Sequence, residues 1–199
     1  MRNFKQYTID TNVIRYQAGN AGNQGLDKAA RIFWRTVKEK VDTGEAAILV
    51  PAEVIRELEV QSHNLSAIEN SKINLILKNC IEVSPPVSVQ LEHQVRNMSA
   101  YLRKHYQEDL TNLPMSYPGV SDARILYSAY YEDSILVTAN IKDFLLYPFL
   151  FAHQEKCLYT LLSNNFIQIP ETVYAKVWQD KAFKEMFKHL GELESALED

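Results

Sequence analysis

The sequence predicts an α/β fold, a three-layer α/β/α arrangement around a mainly parallel sheet, on three observations. Short strand-like runs at residues 7–10, 46–50, 80–83 and 134–138 alternate with longer stretches whose apolar residues recur at helical spacing. Ile135, Leu136 and Val137 form an apolar core to the last of these runs, as expected of a strand covered on both faces. No internal repeat or low-complexity tract interrupts the alternation.

Taken in order, residues 7–10 read as a strand ending on Asp10, and Asn12, Val13 and Ile14 begin a turn or helix. The glycine-bearing stretch 18–25 reads as a loop. Leu26, Ala30, Phe33, Trp34, Val37 and Val41 mark a helix over 26–41, and residues 46–50 a second strand after Gly44. Pro51 suits the first turn of a helix carrying Val54, Ile55 and Leu58, followed by a helical run through Ile68, Ile73, Leu75 and Leu77. Residues 80–83, stopped by Pro85 and Pro86, are a third strand, and 87–110 one or two helices. Pro114, Pro118 and Gly119 break the pattern. Ser121 is a natural N-cap for a helix over 122–131, which leads into the strand at 134–138. Residues 166–169 are the last strand candidate and 173–197 a final amphipathic helix.

At 199 residues the chain suits one domain spanning 1–199, with the strand and helix of 166–198 packed onto it. Hydrophobic residues make up 46% and charged residues 23%, with six glycines and seven prolines, which excludes a disordered chain. The net charge of -4 provides no global attraction for nucleic acid, so such contact must come from local basic patches. Cys80 and Cys157 lack metal-ligand spacing, suit a reducing compartment and read as small core residues. Residues 1–6 are polar and show no signal-peptide pattern, and the apolar run 144–152 is too short to span a bilayer. A cytoplasmic protein without a membrane partner is expected. No two of the five histidines have metal-ligand spacing, so zinc chemistry gains no support.

In open α/β sheets ligands collect beyond the carboxyl ends of the strands, where strand order reverses. Asp10 ends the first strand, Glu57 follows the second, Asp122 opens the helix before the fourth, and Asn140 and Asp143 lie just past its end at Thr138. Carboxylates converging there repel one another unless a divalent cation such as Mg2+ or Mn2+ is held among them through oxygen ligands.

Four segments resemble the motifs of PIN domains. Tyr7-Thr8-Ile9-Asp10-Thr11-Asn12-Val13-Ile14 resembles the opening motif, a strand ending in an acid, any residue, then Asn or Ser. Val50-Pro51-Ala52-Glu53-Val54-Ile55-Arg56-Glu57-Leu58 resembles the second, Ser121-Asp122-Ala123-Arg124-Ile125-Leu126 the third, and Leu136-Val137-Thr138-Ala139-Asn140-Ile141-Lys142-Asp143-Phe144 the fourth. Each is weak alone, and their order across 7–144 carries the resemblance. One position departs: many PIN domains carry an acid where this chain has Asn140, and Asp143 then stands as the fourth acid.

The resemblance implies a PIN-like ribonuclease that hydrolyses RNA phosphodiester bonds by metal-assisted in-line attack. It further implies Mg2+ or Mn2+ at Asp10, Glu57, Asp122 and Asp143, with Asn12, Thr138 and Asn140 orienting the site. Small bacterial members of the VapC type are often toxins paired with an antitoxin protein, and homodimers are common among them. A second expectation is a catalytically weak PIN-like module that binds RNA or a partner protein without cutting it, which Asn140 motivates. A haloacid-dehalogenase-type phosphatase requires an aspartate where this chain has Asn12.

Plainer roles compete for the same residues. An acid at a strand end is often a turn residue, Asp122 favours a helix amino terminus, and Glu53 lies one turn before Glu57 on the same face. Lys28, Arg31, Arg35 and Lys38 read as a solvated helix face, and Arg103, Lys104 and His105 receive the same reading. The run at 145–151 with its aromatic residues reads as core.

Overall fold

A computed structural model describes residues 4–19 and 23–198. Strand β1 (Lys5–Ile9) leads into helix α1 (Thr11–Ala18), and helix α2 (Gln24–Asp42) into β2 (Ala46–Pro51). Helices α3 (Ala52–Ser62) and α4 (Ala67–Leu77) follow, then β3 (Ile81–Val83), α5 (Val89–Tyr106) and α6 (Val120–Tyr131). The chain continues through β4 (Ile135–Thr138), the single turn α7 (Ile141–Phe144), a 3-10 turn (Tyr147–Phe149), β5 (Leu158–Thr160) and β6 (Asn165–Phe166). Helices α8 (Glu171–Gln179) and α9 (Lys181–Glu198) complete it. Of the loop expected over 18–25, residues 20–22 lie outside the described residues.

The sheet has six strands in the order β3-β2-β1-β4-β5-β6, parallel except for the β5–β6 pair. Every position of β2 is buried, so helices cover both faces of the sheet, as the apolar strands predicted. Strand order reverses between β1 and β4, each paired in register with the other through Tyr7–Ile135, Thr8–Leu136 and Ile9–Val137. One hydrophobic cluster runs from Tyr7 to Leu190 and includes Phe144, Leu145, Leu146, Tyr147, Phe149 and Leu150, with Phe151 partly buried against it. The α2–β2 turn closes with the Glu45 N–H on the Lys40 carbonyl and the Gly44 N–H on the Val41 carbonyl. Gly44 stands at φ 68°, a left-handed conformation that glycine adopts without strain.

Several boundaries differ from expectation. The N-cap of α6 is Gly119, not Ser121, because the Asp122 carboxylate accepts the Gly119 N–H at 2.9 Å and frees the Ser121 hydroxyl for Glu53. Pro51 closes β2 and caps α3 in place of entering its first turn. β5 was not expected; its three residues sit in a short stretch without glycine or proline punctuation, and pairing with β4 defines it. The strand expected at 166–169 shrinks to Asn165–Phe166, a hairpin partner of β5 reached through Asn164 at φ 50°.

The helix expected over 173–197 breaks at Asp180, whose backbone is extended. Its carboxylate accepts the Tyr101 and Tyr106 hydroxyls at 2.7 Å each and the Ala182 N–H at 2.8 Å. Those bonds outweigh one continuous helix and hold the carboxyl below its usual range. They also dock the end of the chain on α5, where Gln94 donates to the Met186 carbonyl at 2.6 Å.

Candidate functional site

Asp10 follows directly on β1 and opens α1, yet its side chain makes no capping hydrogen bond to that helix. It turns instead across the switch point, where the Thr138 hydroxyl at the end of β4 donates to Oδ2 at 2.7 Å. Asn12 donates its amide to the same oxygen and accepts the Ala139 N–H on Oδ1 at 2.9 Å. The backbone donor fixes which way the Asn12 amide points. Thr138 in turn accepts the Asn140 N–H at 2.8 Å. Asn12 and Thr138 therefore tie the ends of β1 and β4 together and aim the Asp10 carboxylate, which is 4% exposed.

The other candidate acids lie on three separate segments. Glu57, half-buried on α3, accepts the Thr11 hydroxyl. Asp122 takes up its helix-capping role at the start of α6, and Asp143 in α7 accepts the Asn140 side-chain amide. Burial pushes the Asp10 carboxyl up to about 7; Thr138 opposes this, and Asp122 and Glu57 add to it. Burial likewise raises Asp122, against the Gly119 N–H, with Asp143 and Glu57 raising it further and Lys142 lowering it. Asp122 and Glu57 thus act on Asp10, and Asp143 and Glu57 on Asp122. Among the described residues no three His, Cys, Asp or Glu side chains close on a common point.

Glu53 is excluded from this set by its partners. It binds Arg56 at 2.5 Å, Arg124 at 3.4 Å and the Ser121 hydroxyl at 2.6 Å, while Arg124 also reaches Glu92 at 3.2 Å. Burial alone would raise the Glu53 carboxyl, but these donors outweigh it and hold it below its usual range. Its charge is already balanced. Around Asp10, by contrast, the donors are neutral apart from Lys142 near Asp122, and all the candidate ligands are hard oxygens. That deficit of positive charge and that donor set fit a divalent cation of the Mg2+ or Mn2+ kind.

Sequence reasoning did not single out Thr11 or the Glu53–Arg124–Glu92 network. Thr11 occupies the unspecified position of the opening motif, and only the packing of α1 beside α3 reveals its partner. Lys28, Arg31, Arg35 and Lys38 are exposed on α2, and Lys38 pairs with Asp42 at 2.7 Å, as a solvated face should. Among the described residues no helix is long and apolar enough to cross a membrane.

No protein-family model matches the chain, and no curated protein matches it. Among solved structures it is similar to VapBC2 from Rickettsia felis bound to a DNA fragment from their promoter, at 18% identity and a TM-score of 0.47 over 70% of this chain and 91% of that one. It is also similar to FitAcB from Neisseria gonorrhoeae, at 14% identity and a TM-score of 0.38 over 70% of this chain and 91% of that one.

Proposed function

We propose that the chain is a PIN-like, metal-dependent endoribonuclease that hydrolyses RNA phosphodiester bonds, folded as one domain and acting in the cytoplasm as the toxin of a toxin–antitoxin pair. The observation that supports this reading is the Asp10 carboxylate, buried at the switch point and held on Oδ2 by Thr138 and Asn12, with Asp122 and Glu57 close enough to raise it further. Asp10 and Asp122 are the direct ligands in this reading, with Glu57 and Asp143 completing an oxygen set for Mg2+ or Mn2+. When bound, such an ion activates water as a nucleophile and offsets charge on the leaving oxygen.

The chain's own residues do the rest. Thr138 and Asn12 bind Oδ2 of Asp10 and hold the carboxylate to one orientation. Thr11 fixes Glu57 from the neighbouring helix. Glu57, half-exposed, would help to hold the ion or orient its water.

Asn140 favours the second reading, a module that binds RNA or a partner protein without cutting, since it adds an amide where a further acid could stand and engages Asp143. Cleavage of a mixed RNA pool with Mn2+ or Mg2+, against EDTA and Asp10→Asn, decides between them. Metal-dependent cutting lost in the variant supports the nuclease; its absence in folded, inhibitor-free protein sinks it. Purification from a host carrying the neighbouring genes tests the antitoxin, and sedimentation of the purified chain tests the homodimer.

A further inference from the structure

Along α5 lies a constellation that hydrolysis does not use. His93, Arg96, Asn97, Ala100 and Arg103 recur every three or four residues along α5 and so share one stripe of that helix. Facing it, Tyr117 is 61% exposed. A groove of about 270 Å³ lies between them, lined by His93, Arg96, Asn97, Ala100, Tyr117 and Pro118. At its end the Arg103 guanidinium carbon sits 4.3 Å from the centre of the Tyr117 ring.

Arg96 in the lining and Arg103 at the end give the groove positive charge. Among the described residues Arg103 makes no ion pair, and Arg96 has only Glu92 at 3.5 Å, an acid that Arg124 also holds. The wall that carries Tyr117 is anchored at both ends to the site. Ser116 donates its N–H to the Lys142 carbonyl at 2.9 Å, next to Asp143, and the Gly119 N–H binds Asp122.

We infer that this groove holds a single strand of RNA on its way to the acids, with one base stacked on the open part of the Tyr117 ring and flanking phosphates on Arg96 and Arg103. An aromatic ring stacks with any base, but only where pairing leaves the base face free, so the chemistry selects unpaired RNA over duplex. Arginine beside the ring supplies both a phosphate ligand and a planar surface that continues the stack. The inference deepens the ribonuclease reading and rests on it for the identity of the strand, but it concerns binding, which is measurable without cutting.

The test is fluorescence anisotropy of the full chain with a labelled oligouridine of about a dozen residues, in EDTA. Tyr117→Ala and Arg103→Ala should each weaken binding about tenfold, while Tyr117→Phe binds as the unaltered chain does. Arg103→Ala should also lower the slope of log affinity against log salt by about 0.7, the loss of one phosphate contact. Arg35→Ala, on the exposed face of α2, serves as the control and should change nothing. Affinities within about twofold of the unaltered chain in both groove variants overturn the inference, as does an Arg35→Ala loss of equal size or equal affinity for a duplex. A chain that binds oligouridine through Tyr117 and Arg103 but cuts nothing leaves the groove standing and removes the nuclease. One that cuts with unchanged KM in the groove variants does the reverse.

Discussion

Glu53 and Glu57 stand one turn apart on α3, and their surroundings are opposite. Glu53 is clasped by Arg56, Arg124 and Ser121, and Arg124 passes the compensation on to Glu92. Glu57 has the Thr11 hydroxyl and, across the site, the acids Asp10 and Asp122. The first arrangement is complete as it stands, with charges paired and α3, α5 and α6 joined. The second leaves two buried or half-buried carboxylates, Asp10 and Asp122, raised chiefly by burial and further by acidic neighbours, with no arginine among the described residues paired to either to offset the charge. Acids of equal hydrophilicity in the sequence thus divide into structure and site by what the neighbouring helices bring to them.

Removing the compensation from the first region should cost most. Arg124→Ala leaves Glu53 and Glu92 with side chains 8% and 6% exposed and one fewer partner each. The expected loss is about 3 kcal/mol, or roughly 10 °C in melting temperature, measured by calorimetry. A loss below about 1 kcal/mol would show that the network is no more than a surface cluster, and the comparison would break.

The opposite substitution, in the second region, should stabilise. Between the ordinary carboxyl value of 3.8 and about 7, folded Asp10 keeps a proton that the unfolded chain has released, so its contribution to stability falls as pH rises through that window. Asp10→Asn removes this dependence. In EDTA at pH 8 the variant should be more stable than the unaltered chain by about 2–4 kcal/mol, and the two should converge as pH falls toward 4, while RNA cleavage disappears. A variant less stable at pH 8 would mean that the acids are already compensated. Asn140→Asp should move the other way: it replaces a donor to Asp143 with another acid and costs about 1–2 kcal/mol without metal. Mn2+ should recover that loss if the ion sits among these residues, and thermal melts with and without it read the difference.

Asp10, Glu57, Asp122 and Asp143 were candidates from the sequence because Asp10 ends a strand, Asp143 follows one closely, and Glu57 and Asp122 lie on the helices after β2 and before β4, and α/β topology carries these points toward one edge. Whether Glu53 or Glu57 belonged to the site was not legible, since the two share a face and Arg124 lies far along the chain. β5 escaped notice because three residues set no period, and the break at Asp180 because its cause, Tyr101 and Tyr106, sits on a different helix. In each case a partner distant in sequence decided between readings that local pattern left equal.

Thr11 gives the smallest and sharpest version of the comparison. Its hydroxyl is the one side chain that ties α1 to Glu57, and Thr11 itself is 6% exposed, so valine fills the same space and deletes only the bond. Water can reach half-exposed Glu57, so Thr11→Val should cost about 1 kcal/mol of stability. The larger consequence is in orientation: the Mn2+ concentration needed for half-maximal thermal stabilisation should rise about tenfold, and Thr11→Ser should restore it. One turn back along α3, Ser121→Ala deletes the equivalent hydroxyl from Glu53 and should lose similar stability with no change in the Mn2+ response. Equal metal responses in the two variants would mean that Thr11 only packs, and that the two acids of α3 do not differ in the way their partners indicate.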